Sequence, residues 1–223
     1  MDKIEVTENT KKKLFVKIPS SIVRNEEKYL SNDEFVLYAR LCFLYFRNYQ
    51  EKEIVLDHTR LMRFLKISDT RTFKRRLKKL YQLGFIENEV TKLPTKGKLI
   101  IHFNKAVYDD DKHFTKLDAS IFKSWSFDQI DEYAFRQVFY YKSHINKDDK
   151  ERDRSFCFVG YDTLVKRLKV SKTKINDANE QLKSVGLLKV VPHKLETNYS
   201  YNDNDELIYF RFNNHYYLDN SLF

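Results

Sequence analysis

"SDTRTFKRRLKKLYQLGFI" (residues 68–86) places Phe73, Leu77 and Leu80 at helical spacing among six basic residues: Arg71, Lys74, Arg75, Arg76, Lys78 and Lys79. At about 100° per residue, this predicts a helix over 69–83 with one narrow apolar stripe. Arg71, Arg75, Lys78 and Gln82 fall opposite the stripe. Thr72 and Lys79 flank that face on one side and Lys74 on the other, while Arg76 sits nearer the core boundary. Ser68 is the expected N-cap. Gly84 is the expected terminus, because glycine tolerates left-handed backbone. A basic amphipathic helix can be a solvated surface, a membrane-surface element or a phosphate-binding one, so the rest of the chain must decide.

A second copy supplies the frame. "SKTKINDANEQLKSVGLL" (171–188) keeps the leading serine, an apolar stripe of Ile175, Ala178 and Leu182, and a late glycine, Gly186, without the basic face. Further blocks recur in the same order. "LFVKIPSSIV" (14–23) resembles "HFTKLDASIF" (113–122), with Phe15, Lys17, Ser21 and Ile22 matching Phe114, Lys116, Ser120 and Ile121. "RLMRFLKIS" (60–68) resembles "TLVKRLKVS" (163–171), and "IIHFN" (100–104) resembles "YFRFN" (209–213).

Each copy opens with a β segment (14–18; 113–117). A first helix follows, N-capped by Ser31 or Ser126, with inner residues Phe35, Tyr38, Leu41, Cys42 and Tyr45 in one copy and Tyr133, Ala134, Val138 and Tyr141 in the other. A short strand comes next (54–56; 156–159). The second helix is capped by Asp57 or Asp162 and buries Leu61, Phe64 and Leu65, or Leu164 and Leu168. A tight turn, the third helix and two β segments complete the copy (85–90 and 98–103; 187–191 and 207–212). Strand, helix, strand, helix, turn, helix and hairpin is the order of a winged helix-turn-helix. The expected fold is therefore α+β: an internal repeat of two tandem winged helix-turn-helix domains, each with three helices and a β-hairpin wing. The expected organisation is a basic N-terminal arm (1–13), a first domain (14–107), a linker (108–112) and a second domain (113–223).

Composition agrees with a folded chain and narrows its partners. The 223 residues are 42% hydrophobic and 33% charged, with 18 Phe and 15 Tyr. Four Gly and three Pro are too few for an all-β protein rich in tight turns. Net charge is +9, which favours polyanions. Residues 1–112 hold 24 Lys and Arg against 16 Asp and Glu, or +8, while residues 113–223 hold 17 against 16, or +1. The two halves need not share a job. Cys42 and Cys157 lie far apart within apolar runs and read as buried free thiols in a reducing compartment. The start has no signal-peptide core, and the run at 35–46 contains Arg40 and is too short to span a bilayer, so a cytoplasmic location with no membrane partner is expected.

The order "IPSSIV … LSNDEFVLYARL … LMRFLKISDTRTFKRRLKKLYQLGFI" resembles the winged-helix domains of plasmid and phage replication initiators from low-GC Gram-positive bacteria. Two such domains in tandem are also the layout of iteron-binding plasmid initiators. The resemblance implies binding to origin repeats, with host replication proteins and a homodimer as further partners. One departure is visible. In the iteron-binding initiators the second domain is the main DNA reader and the first mediates dimerisation, whereas here the first carries the positive charge.

In a helix-turn-helix the third helix lays its outer face in the major groove of double-stranded DNA, with base contacts near its N-terminus. Thr70, Arg71, Thr72 and Arg75 are the expected base readers, since Arg can pair bidentately with guanine. Lys74, Lys78 and Lys79, with Arg60, Arg63 and Lys66 on and after the second helix, suit phosphates. Lys92, Lys96 and Lys98 make a basic wing. In the second copy Lys172, Thr173, Lys174 and Asn176 could touch DNA, but Asp177 and Glu180 would repel phosphate. Thr173, Asp177, Glu180, Gln181 and Ser184 are expected to face outward there. That domain could equally dimerise or bind another protein.

Nothing in the sequence suggests an enzyme. The four glycines are scattered, so no phosphate loop forms, and the six histidines show no metal-ligand spacing. No cofactor or metal is expected. Trp125 reads as a core residue. A transcriptional regulator with the same DNA chemistry stays open beside the replication initiator. A protein- or membrane-interaction module that uses the basic helix is the reading of a different class.

Overall fold

In the computed structural model, residues 13–109, 113–147, 154–202 and 204–223 are described. The first half runs β1 (Phe15–Pro19), the single turn α1 (Ser20–Val23), α2 (Asn32–Arg47), β2 (Glu53–Leu56), α3 (His58–Phe64), α4 (Thr70–Gln82), β3 (Leu99–His102) and α5 (Lys105–Asp109). The second half runs β4 (Phe114–Asp118), α6 (Ile121–Ser126), α7 (Glu132–Lys142), α8 (Tyr161–Leu168), α9 (Lys172–Ser184), β5 (Leu188–Tyr201), β6 (Leu207–Leu218) and a 3-10 turn (Asn220–Leu222). The fold is mixed α+β. No helix among the described residues is long and apolar enough to cross a membrane.

Local chemistry sets the helix ends. Ser31 caps α2 in a full capping box, its hydroxyl accepting from the Glu34 amide while the Glu34 carboxylate accepts from the Ser31 amide. Asp57 caps α3 by accepting from the Thr59 and Arg60 amides. Ser171 caps α9 as expected. Three expected caps move. α4 is capped by Asp69, not Ser68, because Asp69 Oδ1 reaches the Thr72 amide at 2.7 Å. α7 starts at Glu132, six residues beyond Ser126, and is capped by Asp131, while Ser126 ends α6. α8 starts at Tyr161, with Gly160 at the cap position and no side-chain cap, which leaves Asp162 inside the first turn.

The glycine stops hold. Gly84 and Gly186 take φ of +75° and +72°. In each, the glycine amide bonds the carbonyl three residues back, and the next amide bonds the carbonyl five residues back: Phe85 to Leu80 and Leu187 to Leu182, both 2.9 Å. This double closure satisfies the last helical carbonyls and needs a left-handed residue at that position.

The β segments differ most from expectation. Residues 85–90 form no strand. A single bridge joins Ile86 to Phe103, and the Asn88 side chain replaces the next strand partner, donating to Ile100 O at 3.0 Å and accepting from the His102 amide at 2.7 Å. The strand that does pair with β3 is β2, with Glu53 opposite His102 and Leu56 opposite Leu99. In the second half the balance is reversed. β5 and β6 form a long antiparallel hairpin, while residues 156–159 contribute only the bridge of Cys157 to Tyr216.

The two halves join through β1 and β4. Lys17 faces Lys116, its own counterpart in the repeated block, and the ladder is symmetric about that pair. The Ser20 amide bonds His113 O at 2.9 Å and the Ala119 amide bonds Leu14 O at 2.8 Å, one at each end of the ladder. Beneath it α2 packs on α7, with the Phe35 ring edge-on to Phe139 at 5.5 Å and to Phe135 at 6.4 Å. One hydrophobic core therefore runs through both halves. Tyr108, at the start of the expected linker, is buried and donates to Lys17 O at 3.0 Å. Residues 110–112 of that linker, and residues 1–12 of the expected arm, lie outside the described residues.

Buried Arg136 on α7 is the polar centre of this junction. Its guanidinium donates to Leu30 O at 2.6 Å, Ile22 O at 3.1 Å, Val23 O at 3.2 Å and Asn25 Oδ1 at 2.7 Å. It also lies over the Phe35 ring at 4.5 Å. Burial pushes its pKa down to about 9, so it stays charged at neutral pH. The turn of backbone from 22 to 31, which precedes α2, is thus held from the other half. Trp125 makes a second tie: buried, it donates from Nε1 to Phe64 O at 2.7 Å.

Candidate nucleic-acid interface

α4 is placed by three anchors. Its stripe of Phe73, Leu77 and Leu80 is fully buried. Arg76, mostly covered, pairs with Asp33 near the start of α2 at 2.9 Å. Asp69 closes the N-terminus, and its hydrogen bonds from the Thr72 amide and hydroxyl hold its carboxyl below the usual range. The opposite face, Arg71, Arg75, Lys78 and Gln82, is exposed, with Thr72, Lys74 and Lys79 half-buried at its margins. This is the arrangement the helical spacing predicted, including the structural place of Arg76.

The loop after α4 lies beside it. Lys74 Nζ reaches Thr91 O at 3.5 Å, and Lys78 reaches Glu89 at 3.7 Å. Val90 is buried and Leu93 partly so, which pins the loop while Lys92, Lys96 and Lys98 stay exposed. The structure therefore brings the start of the expected wing, up to Thr91 before Lys92, next to the expected reading helix, and places Lys98 near Asp57 at the start of α3, and the wing is a pinned loop rather than a regular hairpin. Arg60 and Arg63 are exposed on α3, with Arg60 Nε 3.8 Å from Asp57. Thr70 is exposed at the first position of α4. Among the described residues Arg63, Arg71, Arg75, Lys79, Lys92, Lys96 and Lys98 carry no ion pair.

The density of charge is the main electrostatic feature. Residues 58–98 contain twelve Lys and Arg against three Asp and Glu, a net +9 equal to that of the whole chain. Exposed pairs such as Lys78–Glu89 contribute at most about 1 kcal/mol and yield to a better anion.

Lys66 has a different place. It sits in the α3–α4 turn with φ +56°, pairs with Asp128 at 2.5 Å and covers the Trp125 ring at 4.1 Å. The turn thereby rests on the second half. Its counterpart Lys169, in the α8–α9 turn, has φ +53° and covers the Tyr29 ring at 3.9 Å.

On α9, three of the four expected contacts are engaged by neighbours. Lys172 pairs with Asp162 at 2.8 Å and Lys174 with Asp177 at 3.9 Å, and Asn176 Oδ1 accepts from the Tyr161 hydroxyl at 2.6 Å. Only Thr173 is simply exposed. The inner face includes buried Asn179 beside Ile175, Ala178 and Leu182. Asn179 Oδ1 accepts from Gln137 at 2.7 Å and from the Tyr141 hydroxyl at 2.8 Å. Gln181, expected to face outward, instead closes the start of α7. It accepts from the Asp131 amide at 2.8 Å and donates to its carboxylate at 2.9 Å.

Sequence reasoning missed Asp69, Glu89 and Asn88. Asp69 was legible as the acid of a Ser-Asp pair three residues before Thr72, a cap spacing as good as that of Ser68. Asn88 left no local signal, because its role depends on where β3 passes. No protein-family model matches the chain, and no curated protein matches it significantly.

Proposed function

We propose that the chain is a tandem winged helix-turn-helix protein that binds double-stranded DNA sequence-specifically, with α4 as the reading helix, and that it initiates replication of a plasmid or phage at repeated origin sites. The observation that carries the DNA-binding part is the exposed row of Arg71 and Arg75, bordered by Lys79, on a helix whose other face is locked into the core beside a basic loop. Thr70, Arg71, Thr72 and Arg75 lie at the N-terminal end and are assigned to base edges. Lys74, Lys78, Lys79, Arg60 and Arg63 are assigned to phosphates, and Lys92, Lys96 and Lys98 to the backbone beside the groove. Lys66 is assigned to the junction rather than to DNA. The reading needs no catalytic group or cofactor. The initiator role rests on the resemblance of the first-half blocks to replication initiators, with host replication proteins met through the second half.

Mobility shifts on pooled duplexes test the DNA reading. Binding should weaken steeply with salt, because neutralised phosphates release counterions. Arg75→Ala should cost about 1–3 kcal/mol on the selected site and relax its sequence preference. Lys78→Ala should weaken all sequences alike and lower the salt slope by about one. Flat salt dependence, or no shift with any duplex, refutes the reading. The initiator role is tested by asking whether the gene with its flanking DNA sustains a plasmid that cannot otherwise replicate.

A further inference from the structure

The two halves of the chain enclose a cleft of about 370 Å3. One wall is Tyr29 and the start of α2, including Asn32 and Asp33. The other is the start of α7, with Glu132 and Tyr133, and the α8–α9 turn with Lys169 and Lys174. Clefts that hold small molecules measure about 300–1,000 Å3 and favour domain junctions, so this one suits a compact ligand. Its walls are fixed by the protein alone. Arg136 holds the 22–31 segment, the Asn25 side-chain amide donates to Arg167 O at 2.9 Å, and Gln181 locks the start of α7.

Two polar side chains line this cleft without a protein partner. Asn32 is only 8% exposed, yet its side-chain amide makes no hydrogen bond among the described residues. A buried amide ordinarily finds a partner, and one left alone calls for an explanation. Glu132 is half-buried and has no ion pair among the described residues. Burial first, with Asp33 and Asp131 adding to it, raises its carboxyl above the usual range. Arg76 opposes that rise only weakly, because it is paired with Asp33 at 2.9 Å.

The same cleft also carries two ammonium groups. Lys169 Nζ lies 3.9 Å from the centre of the Tyr29 ring and has no carboxylate partner among the described residues. Lys174 Nζ lies 5.3 Å from the centre of the Tyr133 ring and keeps only an exposed pair with Asp177 at 3.9 Å. An ammonium over a ring still has N–H donors to offer an anion. A simple anion would satisfy the lysines and be repelled by Glu132, and a simple cation would meet the reverse. A compact ligand with one charge of each sign satisfies both.

We propose that the cleft between the starts of α2 and α7 and the α8–α9 turn binds a free amino acid, its ammonium on Glu132, its carboxylate on Lys169 and Lys174, and the Asn32 amide hydrogen-bonded to it. Because the walls come from both halves, the ligand braces the junction. The site uses none of the residues assigned to base edges, so it stands or falls apart from the DNA reading.

Titration calorimetry of the full chain with each of the common free amino acids tests it. At least one should bind with a Kd of about 1 mM or tighter. At about a hundredfold excess over Kd, that ligand should raise Tm by about 5–10 °C. Acetylating its amine or amidating its carboxylate should each lower affinity about tenfold or more, because each removes one charged contact. Glu132→Gln should lower affinity as much, and so should Lys169→Asn/Lys174→Gln, with Asn chosen because Lys169 takes φ +53°. Asn32→Ala should weaken binding about 2- to 10-fold, the loss of one hydrogen bond. Ligand-free melts show whether each variant is folded, and the derivatised ligands probe the wild type itself, so a misfolded variant does not remove the test. No binding by any of the amino acids overturns the proposal. So does affinity that survives acetylation or amidation, or full affinity in a folded Glu132→Gln.

Discussion

Arg136→Ala should cost about 3–5 kcal/mol of stability, the usual loss when one member of a buried charged network is removed. The figure follows from what the guanidinium leaves behind. The carbonyl of Val23 loses its donor, while Ile22 O, Leu30 O and Asn25 Oδ1 lose the guanidinium but keep the Asn25 amide, the Asn25 side-chain amide and the Leu30 amide respectively. A buried acceptor left unpaired costs about 1–3 kcal/mol and a lost bond to a charged donor about 1.5–3 kcal/mol, so one orphaned carbonyl and three lost charged bonds reach that range after the segment relaxes. Against this stands the relief of burying no charge, which burial already penalises enough to lower the Arg136 pKa to about 9. For a chain of this size each kcal/mol moves Tm by about 2–4 °C, so a fall of about 6–20 °C is expected. Arg136→Met should lose less than Ala, because it refills the volume. Arg136→Lys should still lose much of the stability, because one ammonium cannot span the acceptors that a planar fork reaches. Urea denaturation followed by circular dichroism measures all three. A loss under about 1 kcal/mol for Ala would refute the view that this network, rather than the apolar contacts of α2 with α7, holds the 22–31 segment in place.

Further outcomes follow from single sites. Desolvation against Tyr140, then Arg24 and Arg167, push His144 down to about 4 from an ordinary 6.5. The unfolded chain binds this proton first as pH falls, so stability should decline between about pH 6.5 and 4, and His144→Gln should flatten that decline in thermal melts across the window. Asp69→Ala should lower stability measurably while Ser68→Ala does not, because Asp69 carries the cap of α4; equal effects would restore the serine as the cap. Burial pushes the Cys42 thiol up, and holds Cys157 at about 12, so neither should react with a thiol reagent until the protein unfolds. Prompt labelling of native protein would contradict their burial.

The sequence by itself determined the third helix of each half and the apolar stripe that each buries. The buried stripe of α4, the outward Arg71 and Arg75, the intermediate Arg76 and the glycine stops after α4 and α9 all follow from periodicity and from backbone preference at single positions. These are local, short-range constraints, and the chain carries them residue by residue. Tertiary structure alone decided the pairing of β1 with β4, the choice of β2 as the regular partner of β3, and the reduction of residues 85–90 to a bridge. Strand partners are chosen across long sequence separations, and an alternating apolar pattern does not name the strand it will meet. The same holds for Arg136, an ordinary basic residue in its helix until the 22–31 segment wraps its carbonyls around it. It also holds for Lys66, whose basic side chain reads as a phosphate contact until Asp128 and Trp125 are brought beneath it. A charge shows its sign in the sequence, but its partner is set by the packing of distant elements.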